Sequence, residues 1–456
     1  MRFRSNHKNP NIGTVINAPG TATLPTGRRQ FTIPIQSVRA RRNGAPDAFF
    51  AVILWAAVFI PGHMFGGFVD RGFALLIGLT SVVVIWRHGM PQRIGGLPTR
   101  SVASTFFFIT FIYALSYLVL QLSSPFDSGW RDYFELVRYP IYLGALILIV
   151  SGRTDRGRRT LEVAIAWSLW WSFGAAIAFI TDLPLISPLF RDVLYAGTKN
   201  NIAPGIGIYR LAAPFENPNY LAFYLTLILA YLLFFSVSKR RLVLLLLDVI
   251  LLVLTGSRSG IAGALVVLAF FLVHSVWRFV ASRDTRPMVW VAMLASSGGL
   301  ILSLSGASIW DSSRLSATAD AIREGAILDD ASVEARLTSD IEALNNFMNS
   351  PVIGAATKKY SGQDGLDNQF VKWILRLGLI GSIPLALVIF RMFMFQLRSK
   401  QRQGLSLGVL ALWTSMLLLL QTGAFLESFR LFFIFWTVVS VTTVAHREHE
   451  APVLAS

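Results

Sequence analysis

Cysteine is absent from all 456 residues. That excludes disulfides, thiolate metal sites and a cysteine nucleophile. Charge is scarce as well: Asp, Glu, Lys and Arg make up 14% of the chain, where a soluble protein carries about a quarter. Acidic residues are the scarcer sign, 25 against 41 Lys and Arg, and the net charge is +16. No internal repeat is visible, so the inverted-repeat signature of secondary transporters is missing. No cleaved signal is expected at the N-terminus, because the first apolar run begins near Phe49, behind a long basic stretch.

What is abundant is hydrocarbon. Hydrophobic residues make up 54% of the chain, and they come in runs of about twenty, the length a helix needs to cross a bilayer. Roughly three soluble domains would fit the length, but this patterning rejects them. Twelve segments qualify as spans, approximately 48–68, 71–87, 102–122, 132–151, 160–181, 217–237, 241–256, 259–280, 287–306, 368–391, 404–422 and 428–445. The seventh is the shortest, and its end at Thr255-Gly256-Ser257 reads as a tight turn into the eighth. The expected fold is an all-α, polytopic transmembrane helical bundle of about 12 spans.

The basic residues orient it. With the N-terminus inside, 26 of the 41 Lys and Arg fall on the inner side and 12 on the outer, while Arg138, Lys372 and Arg376 lie within spans. Every short inner loop is then basic, as the positive-inside rule requires. Both termini are therefore expected in the cytoplasm. The surplus charge reads as topology, and no nucleic-acid partner is expected. Residues 1–47 read as a disordered basic cytoplasmic tail and 48–306 as spans one to nine. Residues 307–367 form a large outer loop, 368–445 spans ten to twelve, and 446–456 a second cytoplasmic tail.

Two outer loops are long, 182–216 and 307–367, and long loops in compact folds tend to be functional. In the second, Leu337, Ile341, Leu344 and Phe347 recur at helical spacing, with Ser332 as N-cap and Pro351 as stop. This predicts an amphipathic helix lying over the outer mouth of the bundle. The first loop ends in Arg210…Phe215-Glu216-Asn217-Pro218-Asn219. Asn217 suits an N-cap and Pro218 the first helical position, so the sixth span begins with its positive dipole end outward. Thr255-Gly256-Ser257-Arg258 repeats the arrangement at the eighth span, and Asp367-Asn368 opens the tenth. Lys372 and Arg376 follow within that span, four apart on one helix face. Basic residues inside a span are costly and face a cavity or a partner. Helix N-termini and guanidinium groups both favour phosphate. The pattern is that of a pocket for a membrane-borne phosphate or diphosphate.

These segments, together with Arg336…Pro351-Val352-Ile353-Gly354…Asp367-Asn368…Gly378-Leu379-Ile380-Gly381, resemble the ordered landmarks of the O-antigen ligase and polymerase superfamily of membrane glycosyltransferases. The resemblance covers about 210–381. It implies a substrate glycan carried on undecaprenyl diphosphate at the periplasmic face of the bacterial inner membrane. It also implies contact with membrane lipid, and with the flippase and chain-length regulator of a polysaccharide pathway. The family's ligases carry a functional histidine where this chain has Asp367. None of the six histidines lies in the large outer loop, so polymerisation of O-antigen or exopolysaccharide repeats is expected over ligation to lipid A core or protein.

By that resemblance Arg210 and Arg258 stabilise the leaving diphosphate, unless each is an interfacial anchor. Arg336 has a weaker assignment, since an ion pair with Asp340 explains it nearly as well. Asp367 is the expected base, with helix capping as its plain alternative. Glu216, Asn217, Asn219, Ser257, Asn368, Lys372 and Arg376 are the expected substrate contacts. Glu135 and Arg138, three apart, are expected to neutralise each other. Asp248, alone in the seventh span, either pairs within the bundle or lines its cavity. The Asp329-Asp330 pair lacks a third ligand at metal spacing, so neither a metal nor another cofactor is expected. A transporter or flippase is the alternative from a different class.

Overall fold

In a computed structural model the described residues are 45–60, 68–123, 130–152, 155–181, 184–189, 210–215, 217–236, 238–283, 331–355, 366–399 and 403–444, with a few positions between 285 and 292. They are helical almost throughout. The long helices are α1 (Ala45–Phe59), α2 (Phe68–His88), α3 (Thr99–Ser123), α4 (Trp130–Ser151), α5 (Asp155–Thr181), α6 (Pro218–Phe234), α7 (Arg241–Leu254) and α8 (Arg258–Ser282). There follow α9 (Ala331–Phe347), α10 (Gln369–Ser399), α11 (Gln403–Thr422), a 3-10 turn η1 (Phe425–Glu427) and α12 (Phe429–Val444). A two-residue ribbon, β1 (Arg93–Ile94) against β2 (Leu97–Pro98), joins α2 to α3. Eleven of the twelve expected spans coincide with a helix. The ninth lies mostly outside the described residues, as do Glu216, the Asp329-Asp330 pair and the tail to residue 44.

Among the described residues seven helices are long and apolar enough to cross a membrane, and α1, α6 and α12 are shorter apolar helices. The chain thus has an all-α fold of membrane type. One apolar helix, α6, is buried almost whole. Fourteen of the 17 residues of α6 are buried, which suits a helix hydrophobic all round, and it packs against α7, α8, α11 and α12. Outside it, α2, α3 and α4 form one group and α1 packs on α5.

The starts of α2, α4, α6, α8, α10 and α12 meet at one end. Ser428, just before α12, reaches Asp70 of α2 at 3.4 Å. Glu135 of α4 approaches Arg376 of α10 at 3.7 Å. Asn219 of α6 accepts a hydrogen bond from Ser257 before α8 at 3.0 Å.

One helix is broken. At Gly378 the backbone of α10 turns to φ 61°, ψ −173°, a region open essentially to glycine alone. A break frees backbone donors and acceptors, each costing several kcal/mol in an apolar setting unless satisfied. The segment after α9 supplies the partners. Leu379 N donates to Pro351 O at 2.9 Å, Ile380 N to Val352 O at 3.1 Å, and Ala355 N to Leu375 O at 2.7 Å. A Cβ on Gly354 would lie 2.7 Å from the Arg376 carbonyl, so the two backbones cross only because both positions are glycine. The segments around Gly354 and Gly378 are therefore the two halves of one backbone crossing.

The loop helix departs from expectation in two details. Ser332 lies inside the first turn rather than before it, since α9 starts at Ala331. Phe347 turns toward α10 with Ala343, while Leu337, Ile341 and Leu344 are exposed. The helix rests on α10 by a mixed face of Arg336, Asp340, Ala343 and Phe347, so three of the four residues of the expected apolar stripe do not face the bundle.

Candidate functional site

The side chains singled out in the sequence form three groups around η1. The first joins α6 and α8. Asn217 caps α6, its side chain accepting from Asn219 N at 2.8 Å, with Pro218 at the first helical position. Ser257 caps α8, accepting from Gly260 N at 3.3 Å, and Gly256 at φ +57° makes the turn before it. These caps are short-range chemistry, and both fall where the sequence put them. Asn219 Oδ1 then accepts from Ser257 Oγ at 3.0 Å and from Arg210 Nη2 at 3.1 Å. Arg210 Nε also donates to Thr255 O at 3.1 Å. Arg258 is the first residue of α8, half-buried beside Ser257. Two helix N-termini and two arginines thus lie together, a strongly anion-favouring arrangement.

The second group joins α9 to the start of α10. Arg336 Nε pairs with Asp367 Oδ2 at 3.0 Å, and Asn368 Nδ2 donates to Asp340 Oδ2 at 3.0 Å. The ion pair anticipated within α9, Arg336 with Asp340, is replaced by a pair between segments. Asn368, not Asp367, caps α10: its Oδ1 accepts from Phe370 N at 3.1 Å and Val371 N at 3.3 Å. Burial pushes the Asp340 carboxyl above its ordinary value, reinforced by Asp367 and opposed by Asn368 and Arg336.

The third group is a buried charge network. Glu427 accepts from Lys372 at 3.0 Å and from Arg376 at 2.7 Å. Glu135 and Arg138 pair as expected, and Arg138 extends to the Glu427 backbone carbonyl and to Tyr142. Three cations face two carboxylates. Mutual pairing makes such burial tolerable. Burial alone would raise the Glu427 carboxyl, but Arg376, Lys372 and Arg138 outweigh it and hold the carboxyl below its ordinary 4.5.

Glu427 was missed in the sequence, although a signal existed. It is the single acidic residue between Asp367 and Glu448, so the two in-span cations at 372 and 376 had one downstream candidate counter-ion. Lys372 and Arg376, expected to contact substrate, spend their charge on it.

The turn that carries Glu427 links all three groups. Phe425 stacks on Phe223 at 4.7 Å and meets Tyr220 edge-on at 5.7 Å, both beside Asn219 on α6. Leu426 N donates to Gln369 Oε1 at the start of α10 at 3.2 Å. Phe215, from the Arg210 segment, lies under the Arg430 guanidinium at 5.1 Å. Asp248 is fully buried, and its carboxyl oxygens have no hydrogen-bond partner among the described residues. It lies within the bundle, on α7. Among the described residues no three His, Asp or Glu side chains group as metal ligands.

No protein-family model matches the sequence, and no curated protein matches it. The arrangement itself carries the functional argument.

Proposed function

We propose that the chain is a membrane glycosyltransferase that polymerises undecaprenyl-diphosphate-linked repeat units into O-antigen or exopolysaccharide, at the periplasmic face of a bacterial inner membrane. The observation that carries this reading is the joint at Asn219, which fixes Arg210 where the N-termini of α6 and α8 meet. An arginine held in advance against an anion-favouring surface stabilises a diphosphate as it leaves, without reorganising during the reaction. Arg258, next to Ser257, supplies the second guanidinium. No group at this joint needs a bound metal to neutralise the leaving group.

The acceptor hydroxyl is deprotonated from the second group. Asp367 and Asp340 flank the α9–α10 junction, and Arg336 already engages Asp367. A base works best when its proton affinity approaches the working pH. Burial moves Asp340 in that direction, so Asp340 joins Asp367 as a candidate base. Lys372 and Arg376 act indirectly: through Glu427 they set the position of η1, on which the other two groups lean.

Twelve spans with both termini cytoplasmic accord with the helix starts gathered at one end. The chain leaves α8 at the far end, yet α9 docks at the near one. A twelve-span reading requires one more crossing between these two helices.

The break in α10 is the feature that favours a transporter. Its freed backbone groups, however, are taken by residues 351–355 rather than left to coordinate cargo.

Deletion of the gene followed by glycan sizing tests the reading. Intact repeats with lost chain length are expected. Free polymer lacking its lipid A core or protein acceptor would point to a ligase, and repeats trapped on the inner leaflet to a flippase.

A further inference from the structure

Helix α9 carries three faces. Arg336, Asp340, Ala343 and Phe347 form the face that docks on α10. At 3.6 residues per turn, Leu337, Ile341 and Leu344, with Met348 just past the helix end, form a second stripe roughly 100° around from it. These four are 56%, 51%, 43% and 71% exposed. Glu334, Thr338, Glu342 and Asn345, also exposed, take the remaining side. A helix lying on a soluble domain needs only a docking face and a polar face. The extra apolar stripe requires its own environment.

That stripe is continuous with the flank of α10. The next apolar residue along the chain, Val352, is 53% exposed, and its carbonyl accepts from Ile380 N. From Ile380 the exposed side chains run through Ile383, Leu387 and Phe390 down α10, one of the seven helices fit to cross a membrane. One exposed apolar strip therefore passes from the loop helix onto the flank of a helix fit to cross a membrane.

We propose that α9 lies along the line where protein, lipid and water meet, with Leu337, Ile341, Leu344 and Met348 in the acyl chains of the adjoining leaflet. The partner is bilayer lipid, gripped by apolar contact. Glu334 and Glu342 on the polar face give no attraction to anionic headgroups, so neutral lipid suffices. The contact fixes the roll of α9 about its axis, and with it Arg336 and Asp340 over the start of α10. The proposal rests on the membrane reading of the fold and is independent of the proposed transfer reaction.

The absence of cysteine makes the test direct. Leu337→Cys, Ile341→Cys, Leu344→Cys and Met348→Cys, with Thr338→Cys and Asn345→Cys for the polar face, each give one site for an environment-sensitive fluorophore. The labelled full-length chain is reconstituted in phosphatidylcholine vesicles and quenched either by doxyl-labelled phosphatidylcholine or by aqueous iodide. The expected result is loss of fluorescence to the lipid quencher at 337, 341, 344 and 348, about 5–10 Å inside the headgroup boundary, and loss to iodide at 338 and 345. Iodide quenching at all six positions would overturn the proposal, because the stripe would then face water. Protection of the stripe from both quenchers would also overturn it, because protein would then cover that face.

Discussion

One amide oxygen joins two helices: Asn219 Oδ1 accepts from both Ser257 Oγ and Arg210 Nη2. Asn219 is thus a positioning residue for Arg210. A hydrogen bond to a charged group contributes about 1.5–3 kcal/mol, and about 1.4 kcal/mol is tenfold in rate. Asn219→Ala is expected to slow chain extension by roughly tenfold to a hundredfold. Arg210→Ala should cost more, about a hundredfold to a thousandfold. The double variant should be little slower than Arg210→Ala alone, measured as extension rate in membranes. Independent, additive losses would show that Asn219 acts elsewhere.

The crossing of Gly354 and Gly378 should tolerate no side chain. Gly378→Ala imposes a backbone region costing about 1–3 kcal/mol, and its Cβ would lie 2.6 Å from the Ile353 carbonyl carbon. The expected outcome is a strongly lowered melting temperature in detergent, with Gly354→Ala behaving alike. Gly72, whose Cβ would meet nothing within 4 Å, is the control, and Gly72→Ala should melt close to the parent.

Glu427→Gln leaves Lys372 and Arg376 without their shared carboxylate. Breaking a buried pair from one side costs about 3–5 kcal/mol. The sign with pH follows from the direction of the shift. The folded carboxyl sits below its ordinary 4.5, so its stabilisation is complete above that value and is lost as pH falls toward the lower folded value. The stability gap between parent and Glu427→Gln should therefore be full at neutral pH and close progressively below about 4.5. A gap unchanged on acidification would mean that Glu427 is not held ionised by those cations.

Topology offers a prediction that does not depend on activity. A reporter fused after Arg283 should read as cytoplasmic, and one fused after Ser350 as extracytoplasmic. The same reading at both sites would remove the ninth crossing and place the candidate site on the wrong side.

Most helices and the starts of α6 and α8 were legible in the sequence, because runs of apolar residues and Asn or Ser before a helix act within a turn or two; the caps read at Ser332 and Asp367 were each off by one or more positions. The Asn219 joint was half legible: both helix starts were expected to open outward beside an arginine, but not the amide that locks them together. Glu427 required balancing charge across 51 residues from Arg376, which no local pattern does. The exchange of partners, Arg336 to Asp367 and Asp340 to Asn368, depends on how α9 rolls on α10. Periodicity identifies the stripes of a helix without saying which one docks. The break at Gly378 was hidden for a similar reason, since Gly-Leu-Ile-Gly within a span reads as ordinary small-residue packing until residues 351–355 are seen pairing with it.

The central claim is that the arginines at the α6–α8 joint drive transfer from the lipid-linked diphosphate. Its most direct test is gel sizing of the lipid-linked glycan in cells whose sole copy carries Arg258→Ala, with membrane abundance matched to the parent. Single repeat units left on the carrier are the predicted result. Long chains of parental length would contradict the claim.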